Sequence, residues 1–153
     1  MAGSKFFSDD DRTFKKIMQR AQSFNGHELD VGIVRGGVGK NGTPIAEYAF
    51  YNEFGTEHIP ERSFMRSTVD EEQGRAQQME ARLLGDLLDG KKTTAECARI
   101  IGTFWREHIR QKIASNVPPP NAPSTLRQKK GFVTLVDTGA LYRAIRYVTR
   151  RKR

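Results

Sequence analysis

The sequence has 153 residues, a length that fits one domain with a modest core, and its balance of 37% hydrophobic to 29% charged residues suits a protein with much exposed surface. No apolar run approaches the roughly 20 residues a membrane span requires, and the single cysteine, Cys97, excludes an intramolecular disulfide. The formal charge of +8 is concentrated: residues 117–153 hold nine Lys and Arg against Asp137 alone, whereas residues 1–116 hold 17 of each sign. Such a basic block meets phosphates or an acidic protein surface, or serves as a solubilising tail.

The opening MAGSKFFSDDD lacks the apolar core of a signal peptide, so the expected location is inside a cell or in a particle built there. Ser8 and the three aspartates after it suit a helix N-terminus. Phe14, Ile17, Met18 and Ala21 then follow at helical spacing, up to a stop at Asn25-Gly26. Leu29, Val31 and Ile33 alternate as in a strand. Residues 36–43 form a glycine-rich loop in which Gly37, Gly39 and Gly42 satisfy G-x-G-x-x-G. A dinucleotide site is rejected, because the following segments lack the βαβ pattern that would place a phosphate there. A mobile loop is the simpler account.

Thr43-Pro44 suits a helix start and Gly55 a stop, which predicts a helix over Pro44 to Phe54. Its Tyr48, Phe50, Tyr51 and Phe54 cannot all face one core, so some are expected to meet another chain or a distant arm of this one. Ser63 is expected to cap a long helix striped by Val69, Ala76, Leu83 and Leu87, ending at Gly90. Thr93 and Glu96 have capping-box spacing for a further helix, Thr94 to about Ser115, with Cys97, Ile101, Phe104, Trp105, His108 and Ile109 on its buried face. The short link between these two helices predicts an antiparallel hairpin. Cys97 and His108 on one helix stand roughly 16 Å apart by helix rise, too far to share a metal ion. No motif places a nucleophile beside a base, so neither catalysis nor a cofactor or metal is expected.

The last segment, Pro118 to Thr149, opens with Pro118, Pro119, Pro120 and Pro123, which favour an extended arm over residues 117–125. The apolar residues after it are too many to stay solvated. Asp137 or Thr138 can cap a short helix Ala140 to Ala144, with Leu141 as a plug, and the Ile145, Tyr147, Thr149 alternation reads as a strand. The predicted fold is one α+β domain over residues 1–149, a small antiparallel sheet packed against several helices with a central helical hairpin, followed by a basic tail, residues 150–153.

Two stretches resemble a known family. Residues 46–66, AEYAFYNEFGTEHIPERSFMR, are similar to the aromatic helix, Glu-Phe-Gly turn and Pro-x-Arg-Pro-Phe element of the minor tail or tail-completion proteins of tailed bacteriophages, with Ser63 where that family usually has proline. Pro118 through Val148 resembles the family's closing section: a proline-rich loop, a Ser-Thr-Leu turn with lysines, then LVDTGAL leading into a strand. The two cover about a third of the chain, in the family's order.

The resemblance implies a structural protein of the virion neck, made in the host cytoplasm. It would complete the tail end and help join tail to head as one subunit of a homo-oligomeric ring, a hexamer or a dodecamer. Its neighbours would be a tail terminator, a stopper or the tail tube, with possible contact to the genomic DNA end and none to membrane. Tyr48, Tyr51, Phe54, Arg62, Phe64 and the four prolines become candidate subunit or partner contacts, Arg62 through a neighbour's carboxylate or carbonyl or in a local salt bridge. Glu53, Gly55, Asp137, Thr138, Gly139 and Leu141 are read as turn architecture. Arg143, Arg146, Arg150, Arg151, Lys152 and Arg153 are candidates for contact with DNA or an acidic partner. A basic DNA-binding module without a virion role, or a non-virion assembly factor, is the alternative.

Overall fold

Two strands from opposite ends of the chain form the sheet. The computed structural model describes residues 8–34, 36–39, 42–129 and 131–151. Helix α1 (Ser8–Asn25) leads through a tight turn into β1 (His27–Ile33), and the chain closes with β2 (Ile145–Arg151), paired antiparallel to β1 from Ile33↔Ile145 to His27↔Arg151. Between them lie α2 (Ile45–Phe54), α3 (Met65–Leu88), α4 (Thr94–Ala114), α5 (Pro123–Gln128) and α6 (Ala140–Ala144). The fold is α+β, with a two-stranded antiparallel sheet packed against helices.

Helices α3 and α4 form an antiparallel hairpin. At the linked end the Cys97 Sγ lies 3.7 Å from the Leu83 carbonyl, and at the open end the Lys112 Nζ meets Glu71 at 2.5 Å while His108 Nε2 lies 3.6 Å from Glu72. The capping box at Thr93 and Glu96 forms, each side chain accepting from the other residue's backbone N–H. Two apolar clusters result: Leu83, Leu87 and Cys97 inside the hairpin, and a larger one in which Ile109 and Ile113 of α4, Leu141 of α6 and Ile145 of β2 meet Phe64 and Leu135 from the connecting segments.

Helix α4 also backs the sheet. Gly102 is buried beneath Tyr147 of β2, and a Cβ placed there would fall 2.5 Å from that ring. Beside it the Arg110 Nη2 donates to the Ile145 carbonyl at 2.9 Å and its guanidinium stacks 5.2 Å over Tyr142, while Arg106 stacks over Tyr147. The basic side chains of α4 thus hold β2 by its backbone and by the face of Tyr147, and α6 by the face of Tyr142.

Several local expectations are corrected. On α3 the inward position is Thr68, whose hydroxyl donates to the Phe64 carbonyl, while Val69 is exposed one position round the helix. On α4 Phe104, Trp105 and His108 are half-buried at the rim, with Gly102 and Ile113 inside. Phe14 of α1 is 63% exposed, and Met18 is also exposed, so the apolar face of that helix is only partly covered. The described part of the glycine loop is tied down: Gly39 N–H donates to the Thr43 carbonyl and Ile45 N–H to Gly37, both at 2.8 Å. Strand β2 runs through Arg151, so Arg150 and Arg151 belong to the sheet; Lys152 and Arg153 lie outside the described residues.

Candidate functional site

The residues that carry the family resemblance converge in space. In the first stretch, α2 turns its Ile45, Ala49, Asn52 and Glu53 inward. Gly55 ends the helix at φ 74°, where a Cβ would stand 3.0 Å from the Glu61 nitrogen, so the return of the chain over the helix end requires glycine. The chain then folds back, and the Arg62 N–H donates to the Asn52 carbonyl at 2.6 Å.

Glu53 is the organising group of this turn. Its carboxylate, nearly sealed from solvent, accepts from the backbone N–H groups of Phe64, Met65 and Arg66 at 2.8, 2.9 and 2.9 Å, and from the Ser63 hydroxyl at 2.8 Å. The Arg66 Nε completes the set at 3.1 Å. Glu53 therefore shares the capping of α3 that was expected of Ser63 alone: the Ser63 hydroxyl, one residue before the N-cap Phe64, accepts from the Ser67 N–H at 3.3 Å, and Glu53 takes the other three N–H groups. Burial alone would raise the carboxyl pKa, but the converging N–H and O–H donors outweigh it and hold Glu53 below the usual carboxylate range.

Arg62 joins the two stretches. It is 6% exposed, and its Nε and Nη2 donate to the carbonyls of Pro119 and Pro120 at 2.8 and 3.1 Å. Proline carbonyls suit this role because the ring removes the N–H that would otherwise direct the segment into regular pairing. Arg62 thus reaches carbonyls of its own chain, and the segment expected to project as an extended arm is fastened to the body. Val117 before it is buried, and Pro123 begins the short helix α5. Beyond α5 the Lys129 Nζ donates to the carbonyls of Val133 and Thr134, both at 3.0 Å, and the Asn116 side chain accepts from the Thr134 backbone and hydroxyl. The loop is thereby closed on itself.

Between these parts lies an open cleft of about 680 Å³. Its apolar walls are Ile45, Ile59, Leu135 and Leu141, and its polar groups include Tyr48, Arg62, Asn121, Lys129 and Asp137. Burial lowers the Lys129 pKa, with Asp137 opposing and Arg62 adding to the effect; burial raises that of Tyr48, which also feels Arg62 and Asp137. These groups therefore share one electrostatic environment. At the cleft's lip Gly139, in a left-handed conformation, is the N-cap residue of α6, so neither Asp137 nor Thr138 holds that position; the Thr138 Oγ1 accepts from the Ala140 N–H at 3.3 Å.

The other candidate residues separate into distinct places. Phe64 is fully buried in the main core, so it is no surface contact. Tyr51 is half-buried and donates its hydroxyl to Glu47 at 2.6 Å. Phe54 is exposed beside Phe50, ring centroids 4.8 Å apart, with the Arg66 guanidinium 4.6 Å over the Phe54 ring. Two and six positions on from Tyr48, these phenyl rings project from the side of α2 away from the cleft. Pro118, Pro119, Pro120 and Pro123 are exposed along the cleft and α5. Arg143, Arg146 and Arg151 are exposed, and Arg150 pairs across the sheet with Asp30 at 3.0 Å. Sequence reasoning missed Asn121 and Lys129 as cleft groups; only the fold brings them opposite Arg62.

No protein-family model, curated protein or solved structure matches the chain. Among the described residues no helix is long and apolar enough to cross a membrane.

Proposed function

We propose that this chain is a structural subunit of the neck of a tailed-phage virion, completing the tail end and joining it to the head as one member of a homo-oligomeric ring. The observation that supports this reading most is the meeting of the two resembling stretches: 118–148 closes on 46–66 through Arg62, and both line one cleft. Residues that follow a family's order in sequence have a shared purpose if they also build one surface. The exposed Phe50–Phe54 pair on the other side of α2 gives each copy a second apolar surface. Two different surfaces on one subunit are what a closed ring requires, because each copy must meet its neighbours through unlike faces.

Copy number in purified particles from the source tests the reading, by quantitative peptide mass spectrometry against the major capsid protein. A small ring stoichiometry, about six or twelve per particle, supports it. Absence from particles overturns it and leaves the basic face of β2 as the place to look for nucleic-acid binding. That rival requires affinity falling steeply with salt. Against it, one of the β2 cations is already matched by acids of β1: Arg150 faces Glu28 in the register and pairs with Asp30.

A further inference from the structure

We propose that the outer edges of the two-stranded sheet are a pairing surface for a second copy of this chain, the β1 edge of one copy taking the β2 edge of the next. Each strand is paired on one side. Among the described residues no third strand and no other backbone group bonds to His27–Ile33 or Ile145–Arg151, and the one side chain that reaches a strand carbonyl is Arg110, at Ile145. In an antiparallel pair alternate residues turn their N–H and C=O outward, so each seven-residue strand presents a row of such groups along its outer side. Proline and shortness, two devices that blunt an edge, are absent from both strands. Charge is the device present, and it discriminates by sign.

Strand β1 carries Glu28 and Asp30 and no Lys or Arg, while β2 carries Arg146, Arg150 and Arg151 and no acid. Two β2 edges would set arginines against one another and two β1 edges would set acids together, and like charges across a ladder are destabilising. Unlike edges attract. Tyr147 lies over Gly102 of α4, so the register puts Glu28, Asp30, Arg146 and Arg150 together on the face turned away from that helix, where all four are exposed. Within the chain Arg150 pairs with Asp30 at 3.0 Å, and among the described residues Glu28 and Arg146 make no ion pair, which leaves one charge of each sign for a neighbouring strand. An unrelated acidic strand would suit the β2 edge and leave the β1 edge open, and a nucleic acid drawn to the arginines would meet Glu28 on the same face. A second copy brings arginines to that acid and serves both edges with one kind of contact. Since every copy has one edge of each sign, pairing runs head to tail and continues until a ring closes. The inference deepens the ring reading and rests on it for closure; the pairing itself stands on the strands.

The test compares self-association of the purified full chain with that of its Glu28→Lys and Arg146→Glu variants by analytical ultracentrifugation, and follows amide hydrogen exchange by mass spectrometry at low and high protein concentration. Circular dichroism melts first establish that each variant folds. Arg146 stands opposite Gly32 in its own sheet, so Arg146→Glu removes no pair within the chain and keeps the test valid if Glu28→Lys, opposite Arg150, loosens the hairpin. The expected result is association of the wild type at high concentration, with peptides from both 27–33 and 145–151 gaining protection as their outward amides pair. Each variant alone should associate about tenfold or more weakly, and an equal mixture of the two should recover, because the intact β2 edge of one meets the intact β1 edge of the other and the reversed charges meet at the next contact. A wild type that stays monomeric, association that leaves either strand unprotected, or variants that associate as the wild type does would each overturn the proposal. The two readings fail separately: pairing through both strands by a protein absent from particles sustains this inference and removes the virion role, whereas a ring stoichiometry in particles with unprotected strands in the assembled protein does the reverse.

Discussion

At the scale of single residues, Glu53 decides whether the first resembling stretch holds its shape. One carboxylate satisfies three of the orphan N–H groups at the start of α3, so Glu53→Ala leaves those buried donors without a partner and should cost about 3 kcal/mol in urea unfolding. Glu53→Gln keeps an acceptor oxygen but loses the charge and should fall between the two. The pH dependence follows from the lowered pKa. A carboxyl whose native pKa lies below its unfolded value of about 4.5 stabilises fully above that value, and the contribution is lost as pH falls through the native one. Wild-type stability should therefore decline in acid below pH 4.5 more steeply than that of Glu53→Gln, and parallel declines in the two proteins would count against the assignment. Nothing in the sequence marks Glu53 as a cap, because capping signals are sought within a few positions of a helix start and this one reaches forward from the end of the preceding helix.

At the scale of elements, two contacts determine how the pieces are assembled. Arg62 binds the proline segment by its carbonyls, so Arg62→Ala should lower stability by about 2 kcal/mol and expose residues 117–129 to limited proteolysis, with Arg62→Lys rescuing little because one ammonium cannot reproduce the planar fork. The sheet presses on α4 at Gly102. Alanine there gains about 1 kcal/mol of helix propensity but sets a methyl group against the Tyr147 ring, so the net effect should be a loss of about 1–2 kcal/mol, relieved in the double variant with Tyr147→Ala. These elements were legible to different degrees, for physical reasons. The hairpin, the capping box and both strands follow from local periodicity and spacing, which the chain displays openly. Helix α5 and the fastening of the proline segment were not legible, because they depend on a buried arginine 57 positions away from Pro119, and local composition there reads only as extended. On α3 the expected inward positions Ala76, Leu83 and Leu87 are kept and only the first turn differs, where Thr68 takes the inward place by donating its hydroxyl to the Phe64 carbonyl.

At the scale of the whole molecule, the apolar side chains left uncovered matter most. Phe50 and Phe54 stand 58% and 51% exposed on one face of α2, and Phe14 and Met18 are open on α1. Scattered exposed apolar residues are ordinary, but two phenyl rings in contact, with a guanidinium over one of them, form a patch suited to a partner's surface. Since α2 buries its opposite side, charge can be added to this face without touching the core. The Phe50→Asp, Phe54→Asp double variant should therefore unfold within about 0.5 kcal/mol of wild type, because the changes are at the surface. In a ring-forming subunit the same variant should remain a monomer by analytical ultracentrifugation at concentrations where wild type associates, and should fail to restore infectivity to particles lacking the protein. Phe14→Asp with Met18→Asp provides the comparison on α1. If only the α2 variant fails, the aromatic helix is one face of the subunit contact; if both assemble and restore infectivity, the uncovered apolar surface has no part in the ring. The copies must then meet elsewhere, and the cleft on the far side of α2 becomes the next surface to change.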